Sequence, residues 1–175
     1  MEKRGSAAVA SPRFARALAI GLAALAASAG VDAATATGTF TVQAVINSAC
    51  NVSATTLNFG TYNPGNASAL TATSTVNVYC TSGSSYTASL NIGSGGGTFA
   101  ARTLLSGTDT LNFNLYRDAA YSQIWGDGTA STYTVAGTGS GLLTPNSLTV
   151  YGQVPISQDK PAGTYSSTIT VTVSY

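Results

Sequence analysis

The sequence predicts an all-β domain, and three features lead to that class. Apolar and polar residues alternate at period two in several short stretches, as they do in strands with one buried face. Turn-forming Gly, Asn, Pro and Asp separate these stretches, for example in residues 62–66, 93–97 and 126–128. Beyond residue 33 no stretch has apolar residues at helical spacing. We therefore expect one sandwich or barrel of short strands.

Six stretches show the strand pattern clearly: Phe40 to Ile46, Thr75 to Cys80, Tyr86 to Ile92, Leu111 to Arg117, Leu148 to Val154 and Thr168 to Tyr175. Two weaker ones are Leu57 to Phe59 and Tyr133 to Val135. In the second stretch, Val76, Val78 and Cys80 share one face. The length of 175 residues suits a single such domain preceded by an export signal.

Residues 1–33 have the pattern of a Sec signal peptide. Basic residues, the last of them Arg16, precede an apolar run over 17–27 that is shorter than the roughly 20 residues needed to span a bilayer. Small residues follow, and cleavage is expected after Ala29 or Ala33. Ala33 is favoured because the chain then begins directly before a predicted strand. The protein is therefore expected to be exported to the periplasm.

The remaining chain is poor in charge, which excludes several functions. Charged residues make up 7% of the sequence, against roughly 25% in an average protein. After residue 33 three basic side chains oppose four acidic ones, a net charge of −1: Arg102, Arg117, Lys160, and Asp109, Asp118, Asp127, Asp159. Without a basic patch we expect no nucleic-acid partner.

The same inventory argues against an enzyme. The sequence has no His, and after residue 33 it has no Glu, so the usual general acids, bases and triads are missing. An Asp pair of the glycosidase kind is the one option left, but Asp109, Asp118 and Asp127 lie in turn-like contexts. We expect no catalytic residue, no metal, no cofactor and no small-molecule substrate.

Cys50 and Cys80 are the only cysteines. In an oxidising compartment they are expected to form an intramolecular disulfide. Closing this loop would stabilise the fold by roughly 3 to 4 kcal/mol in the chain-entropy model.

Strand patterns at both ends of the mature chain lack an obvious local partner. Residues 34–47 place Phe40, Val42, Ala44 and Ile46 on one face. Periodicity alone favours a first strand of the same sandwich, but a segment bound by another chain would show the same pattern. The C-terminus places Ile169, Val171, Val173 and Tyr175 on one apolar face. The sequence does not say whether this face is covered by the same chain or by another chain.

Short motifs occur along the whole mature chain in a characteristic order: Thr37 to Val42 before Cys50, Leu57 to Tyr62, Val76 to Cys80, Phe113 to Ala120, Val150 to Pro155, and Pro161 to Tyr165 before the last strand. With both cysteines, they make the chain resemble the spore coat protein U domain family. Within it, the chain is similar to the major subunits of Csu-type (archaic) chaperone-usher pili.

The resemblance implies an incomplete immunoglobulin-like β-sandwich completed by a donated strand. Residues 34–47 would be the donor, with Phe40, Val42, Ala44 and Ile46 filling pockets, although Ala44 is small for the central position. The pilin domain would span 48–175, with Ile169, Val171, Val173 and Tyr175 bordering the acceptor groove and Cys50–Cys80 as the family disulfide. A periplasmic chaperone, an outer-membrane usher and other copies of the chain would be the partners of a surface fimbrium that serves adhesion and biofilm formation.

Two rival functions remain open. The chain could be a secreted spore-coat or matrix protein of the same fold that assembles differently. It could also be a monomeric carbohydrate-binding sandwich in which exposed Trp125, Tyr121 and Tyr133 stack on sugars, although aromatic residues in small sandwiches more often pack in the core.

Overall fold

The computed structural model describes residues 32–175, and this part of the chain is all-β, as predicted. Its eight strands are β1 (Cys50–Ala54), β2 (Leu70–Cys80), β3 (Ser85–Leu90), β4 (Arg102–Ser106), β5 (Asp109–Tyr116), β6 (Val135–Thr138), β7 (Asn146–Val154) and β8 (Val171–Ser174). The predicted signal peptide, apart from its last two residues, lies outside the described part. No helix in residues 32–175 is long and apolar enough to cross a membrane.

The chain divides into two units, Met1–Gln43 and Ala44–Tyr175. In the first unit, described residues 32–43 are exposed and form no strand. The second unit contains all eight strands. They form a five-stranded sheet in the order β1-β2-β7-β5-β4 and a three-stranded sheet in the order β6-β3-β8, with antiparallel pairing throughout.

The core is built by strands whose alternate residues face inward. In β2, Val76, Val78 and Cys80 are buried as the alternation predicted. The facing sheet supplies Tyr86, Ala88 and Leu90 from β3. The remaining buried apolar residues are Leu111, Phe113, Leu115, Trp125, Val150 and Val154.

The predicted disulfide is present between Cys50 and Cys80. These residues are directly opposite each other in the β1–β2 ladder. Just beyond them the Thr81 amide donates to the Ala49 carbonyl at 2.9 Å, which continues the pairing to the end of the sheet. The bond therefore anchors β1, an edge strand, to the long central strand β2.

One flank of the sandwich, hereafter the closed flank, is sealed by residues 124–126. The Trp125 amide donates to the Leu115 carbonyl at 2.9 Å, and the Gly126 carbonyl accepts from Leu90 at 3.1 Å, so this segment joins β5 to β3. The Trp125 indole N–H donates to Ala88 at 3.1 Å. The two sheets are thus connected by main-chain hydrogen bonds on this side.

A fully buried arginine lies inside the closed flank. Arg102 donates to the Asn91 carbonyl at 3.0 Å, the Asn114 side-chain oxygen at 2.7 Å and the Trp125 carbonyl at 2.7 Å. Burial lowers the pKa of its guanidinium to about 10, a shift opposed by the charge of Asp127, so it stays protonated at neutral pH. Within the described residues every buried side-chain polar atom has a hydrogen-bond partner.

The strand predictions are confirmed where a stretch has a partner inside the domain. β2, β3, β5 and β7 match their predicted stretches, with β2 starting earlier, at Leu70. The C-terminal strand is shorter than predicted, Val171–Ser174, and β6 begins at Val135, where the Tyr133–Val135 stretch ends. β1 and β4, each of five residues, were not predicted because so short a stretch carries little periodicity.

Two predicted strands are wrong. Phe40 to Ile46 forms no strand and is exposed, so the interpretation of these residues as a first strand of the same sandwich is not supported. Leu57 to Phe59 is likewise outside any strand. Alternation indicates which face is apolar, but a strand also needs a hydrogen-bonding edge, and neither segment is paired with one here.

Candidate functional site

The other flank of the sandwich is open and contains an apolar groove. Its first rim is formed by the end of β1 and residues 55–64, and its second rim by residues 160–169 and Val171 of β8. The cavity volume is about 910 Å³, far more than a packing void between well-fitted core side chains. We call this feature the groove.

The groove is open because no strand connects the sheet edges that border it. β1 is the edge of the five-stranded sheet and β8 the edge of the three-stranded sheet. After the Thr55 amide donates to the Thr75 carbonyl at 2.9 Å, residues 56–62 make no main-chain hydrogen bond to a strand in the described part. A backbone edge is therefore available along the first rim, next to apolar side chains.

The floor of the groove is formed by apolar side chains of the core and its edge. They are Val76, Leu90, Leu104, Leu111, Phe113, Leu115, Val150 and Val154. Leu57 and Phe59 cover part of this floor from the first rim. Phe59 packs edge-on against Phe113 at 6.2 Å between ring centroids, and both rim side chains lie over Gly152 of β7.

Two tyrosines brace the far end of the groove. The Tyr62 hydroxyl accepts from the Gln158 amide at 2.9 Å, which ties the first rim to the loop after β7. The Tyr165 hydroxyl donates to the Pro161 carbonyl at 2.9 Å, which holds the turn of the second rim. The backbone of Ser166 also pairs with that of Leu105, at 2.8 and 2.9 Å, and so fixes this rim to β4.

The predicted acceptor residues are only partly at the groove. Ile169 and Val171 line it and pack against the core. Val173 packs against the core without lining the groove, and Tyr175 is 62% exposed and does not line it either. Leu57, Phe59, Leu104 and Tyr165 also line the groove but were not predicted as site residues. The sequence gives a signal only for Leu57 and Phe59, through their alternation.

The predicted donor residues are among the most exposed apolar side chains of the described chain. Phe40 is 87%, Val42 82% and Ile46 85% exposed, and Val45 on the other face is also exposed at 77%. Ala44 is exposed as well. An alternating apolar segment is thus left in solvent, although the same chain buries an apolar core.

None of the four aspartates after residue 33 lines the groove: Asp109 begins β5, and the other three, Asp118, Asp127 and Asp159, lie in loops. The Asp127 carboxylate accepts from the hydroxyl and amide of Thr129, at 2.6 and 2.9 Å, and these bonds lower its pKa. Desolvation raises the pKa of Asp118, but hydrogen bonds from Ser122 and Gln123 outweigh it and leave the pKa lowered. Both groups are therefore turn-stabilising carboxylates, and in residues 32–175 no three His, Cys, Asp or Glu cluster as metal ligands.

The proposed sugar platform is wrong. Trp125 is fully buried and its indole N–H is bonded inside the closed flank, so it offers no face to a ligand. Tyr121 packs edge-on between Tyr116 and Tyr151, and the Tyr133 ring lies 4.6 Å from the Arg117 guanidinium carbon. The three residues do not form a shared exposed surface.

The structure is similar to a chain in the crystal structure of the CsuC-CsuE chaperone-tip adhesion subunit pre-assembly complex from the archaic chaperone-usher Csu pili of Acinetobacter baumannii. The TM-score is 0.50 at 21% sequence identity, over 74% of this chain and 40% of that one. This likeness shows a shared fold, the two-sheet immunoglobulin-like sandwich. The present chain spans well under half the length of that solved chain.

Two further comparisons concern the sequence. Protein U of Myxococcus xanthus is 34% identical in an alignment 174 residues long that covers 87% of this chain and 92% of that protein. The model of the Spore Coat Protein U domain matches residues 36–172, that is, both the exposed N-terminal segment and the sandwich. The chain therefore belongs to the spore coat protein U domain family.

Proposed function

We propose that this protein is a structural subunit that polymerises into a secreted chaperone-usher pilus by donating residues 34–47 to the groove of a neighbouring copy. The observation that carries the proposal is the pairing of two incomplete features in one chain. The groove is an open apolar site between two strand edges, and the N-terminal segment is an exposed strand pattern without a partner.

The donor segment has the chemistry that the groove requires. A strand laid against β8 or the first rim would gain main-chain hydrogen bonds and direct alternate side chains onto the groove floor. Burial of Phe40, Val42 and Ile46 would contribute about 4.5 to 9 kcal/mol together, at about 1.5 to 3 kcal/mol for each side chain. Ala44 would contribute little, so the affinity would come from the residues on either side of it.

The proposal extends to partners and location. A subunit with an open groove leaves apolar side chains such as Leu57 and Leu104 only half-buried, and apolar surfaces of this kind aggregate unless they are covered. A periplasmic chaperone would cover them before assembly, an outer-membrane usher would pass the subunit outward, and the polymer would form an extracellular fimbrium. The chain of similar fold comes from a chaperone–subunit pre-assembly complex, and this supports the chaperone step of the proposal. Adhesion and biofilm formation would follow from display of the fimbrium.

The donor role is tested by Val42→Asp with Thr41→Asp as the matched control. Val42 belongs to the proposed inward face and Thr41 to the opposite face, so the same charge is added one residue apart. A carboxylate in the apolar groove costs several kcal/mol. We expect the Val42→Asp subunit to bind chaperone and accept a strand but to fail as a donor, and the Thr41→Asp subunit to assemble.

The readouts are chaperone co-purification and fibres seen by electron microscopy. Deletion of 34–46 should likewise leave the chaperone complex intact and abolish fibres. Wild-type fibres from the Val42→Asp protein, or loss of its chaperone complex, would contradict the donor assignment.

A coat-like polymer of the same fold is the second candidate, favoured by the family itself and by the relationship to Protein U. It could use the same groove and donor segment. The two candidates differ in export: a pilus requires an usher. Loss of surface polymer in an usher-deficient strain, with subunit retained in the periplasm, is expected for the pilus; unchanged surface polymer would favour the coat.

A further inference from the structure

The turn between β6 and β7 presents two adjacent leucines to solvent. Leu142 is 51% and Leu143 96% exposed. They are the two central residues of a turn closed by the Thr144 amide, which donates to the Gly141 carbonyl at 3.2 Å. Central turn positions ordinarily hold Gly, Pro, Asn, Asp or Ser. The fold therefore does not require leucine at either position.

This turn, residues 141–144, is held rigidly from below. The Asn146 side chain accepts from the Ser140 amide at 3.2 Å and donates to the Thr138 carbonyl at 3.0 Å, so it bridges both strands leading to the turn. Gly139 lies so close to Cys80 and Thr81 that a Cβ there would meet their carbonyl oxygens at 2.7 and 2.4 Å. Single exposed apolar residues are common on proteins, but an adjacent pair on a braced turn is a preformed apolar knob.

The turn lies at the end of the sandwich from which the N-terminal segment leaves. The Gly141 amide donates to the Cys80 carbonyl at 3.0 Å, and the next residue, Thr81, pairs with Ala49 through its amide at 2.9 Å. Ser48 and Ser84 are joined there by a hydroxyl contact of 3.1 Å. We call this end, with residues 48–49, 80–84 and 139–146, the Cys80 end.

Chain length forces the Cys80 end against a neighbour whenever the segment is donated. Only two residues separate Ile46 from Ala49, and the three Cα–Cα steps between them span at most about 11 Å. The acceptor's groove would hold Ile46, so the acceptor must contact or closely approach the donor's Cys80 end. This holds whether the donated strand runs parallel or antiparallel to β8, because only the acceptor's facing end would change.

We propose that Leu142 and Leu143 form a second subunit–subunit contact, in which this apolar turn packs against the next copy of the same chain and clamps the joint beside the donated strand. The inference rests on the proposed strand donation, because that donation positions the two copies. Leu142 and Leu143 belong neither to the core nor to the lining of the groove, so neither feature accounts for them. The contact would stiffen the fibre without affecting the folding of a subunit.

Photo-cross-linking tests the contact in full-length protein. A benzophenone amino acid is placed at position 143 and, as control, at position 149, where Thr149 is exposed in the middle of β7. Assembled fibres should give subunit–subunit adducts from position 143 and few from position 149. Fibres that give no adduct from position 143 would overturn the inference.

A double substitution measures the consequence. Leu142→Ser with Leu143→Ser should leave the chaperone complex unchanged and increase the rate at which fibres shed subunits about tenfold or more, as expected when leucine burial is lost. Leu142→Met with Leu143→Met keeps the apolar volume and should behave as wild type. Unchanged shedding, with loss only of fibre binding to apolar surfaces, would instead identify the turn as an adhesive patch and reject the contact.

These results separate the inference from the proposed function. If wild-type protein forms no fibre at all, the proposed function fails and this inference fails with it. If fibres form, depend on Val42 and give no position 143 adduct, only this inference fails.

Discussion

The two sheets of this sandwich are joined on the closed flank and left apart on the open flank. On the closed flank, residues 124–126 bond to β5 and β3, and buried Arg102 joins three further segments. On the open flank, strand edges β1 and β8 remain unconnected and leave an apolar cavity of about 910 Å³. The closed flank is saturated with hydrogen bonds, whereas the open flank has edge positions and apolar surface still available. The difference teaches that the incompleteness is local: hydrogen bonds close one side of the domain, and the other side has the open strand edges that the proposed strand donation requires.

Removal of Arg102 should damage the closed flank most. Arg102→Met leaves Asn114 and the Asn91 and Trp125 carbonyls without their buried donor, which is expected to lower the free energy of unfolding by about 3 to 5 kcal/mol. Urea denaturation of the purified subunit measures this. Arg117→Met is the matched control, since Arg117 is only half-buried and bonds to Gln123 and Thr134. An equal loss from both variants would show that the Arg102 network has no special role.

Loss of the disulfide should lower the free energy of unfolding by nearly as much, because the bond anchors β1, the edge strand that borders the groove. Replacement of Cys50 and Cys80 together by Ser is expected to cost roughly 3 to 4 kcal/mol in the chain-entropy model. The subunit yield in the periplasm should fall, and immunoblotting of periplasmic extracts measures it. Native protein that reacts with thiol reagents at both positions would contradict the bond itself.

The same Gly→Ala change on each flank tests the comparison directly. A Cβ on Gly126 would meet Thr132 atoms at 2.4 to 2.8 Å, and Thr132 is buried and held by Thr129. Overpacking there should cost about 1 to 3 kcal/mol.

The atoms nearest to a Cβ on Gly152 would instead be the side-chain tips of Leu57 and Phe59, at 2.8 to 3.0 Å, and these two side chains line the open groove. Gly152→Ala should therefore cost less than about 1 kcal/mol, yet move the rim and weaken binding of a peptide of residues 34–47. Thermal denaturation and peptide titration measure the two effects. A larger loss of stability from Gly152→Ala than from Gly126→Ala would show that the open flank is as rigid as the closed one.

The smallest changes in stability should come from substitution of the aspartates. Asp118 and Asp127 have pKa values below the ordinary value of 3.8, so their contribution to stability is present at neutral pH and is lost as pH falls through those lowered values. Asp127→Asn should remove part of this acid dependence, with Asp109→Asn as the control, and denaturation at pH 7 and pH 3 measures it. Asn at any of the four positions, 109, 118, 127 or 159, should leave assembly unchanged; loss of a hydrolytic activity in such a variant would contradict a purely structural protein.

Most of the sandwich was predictable because its strands have one apolar and one polar face. Val76, Val78 and Cys80 alternate with polar neighbours, and this alternation survives folding since β2 has partners on both sides. The groove was less predictable. Leu104, Leu111 and Phe113 look like ordinary core residues in the sequence, and only the tertiary structure shows that they line an open groove. Trp125 is buried, as aromatic residues in small sandwiches usually are, and only the rival interpretation that placed it in an exposed sugar platform is wrong.

The sequence by itself determined the all-β class, the Cys50–Cys80 pair, the poverty in catalytic side chains and the apolar face of residues 40–46. Each depends on residue identity or on period-two spacing, which adjacent residues encode. The tertiary structure alone decided that residues 40–46 are exposed instead of forming a first strand, and that β1 and β8 border an open groove. These outcomes depend on which edges pair across more than a hundred residues of chain, and no local pattern specifies that pairing.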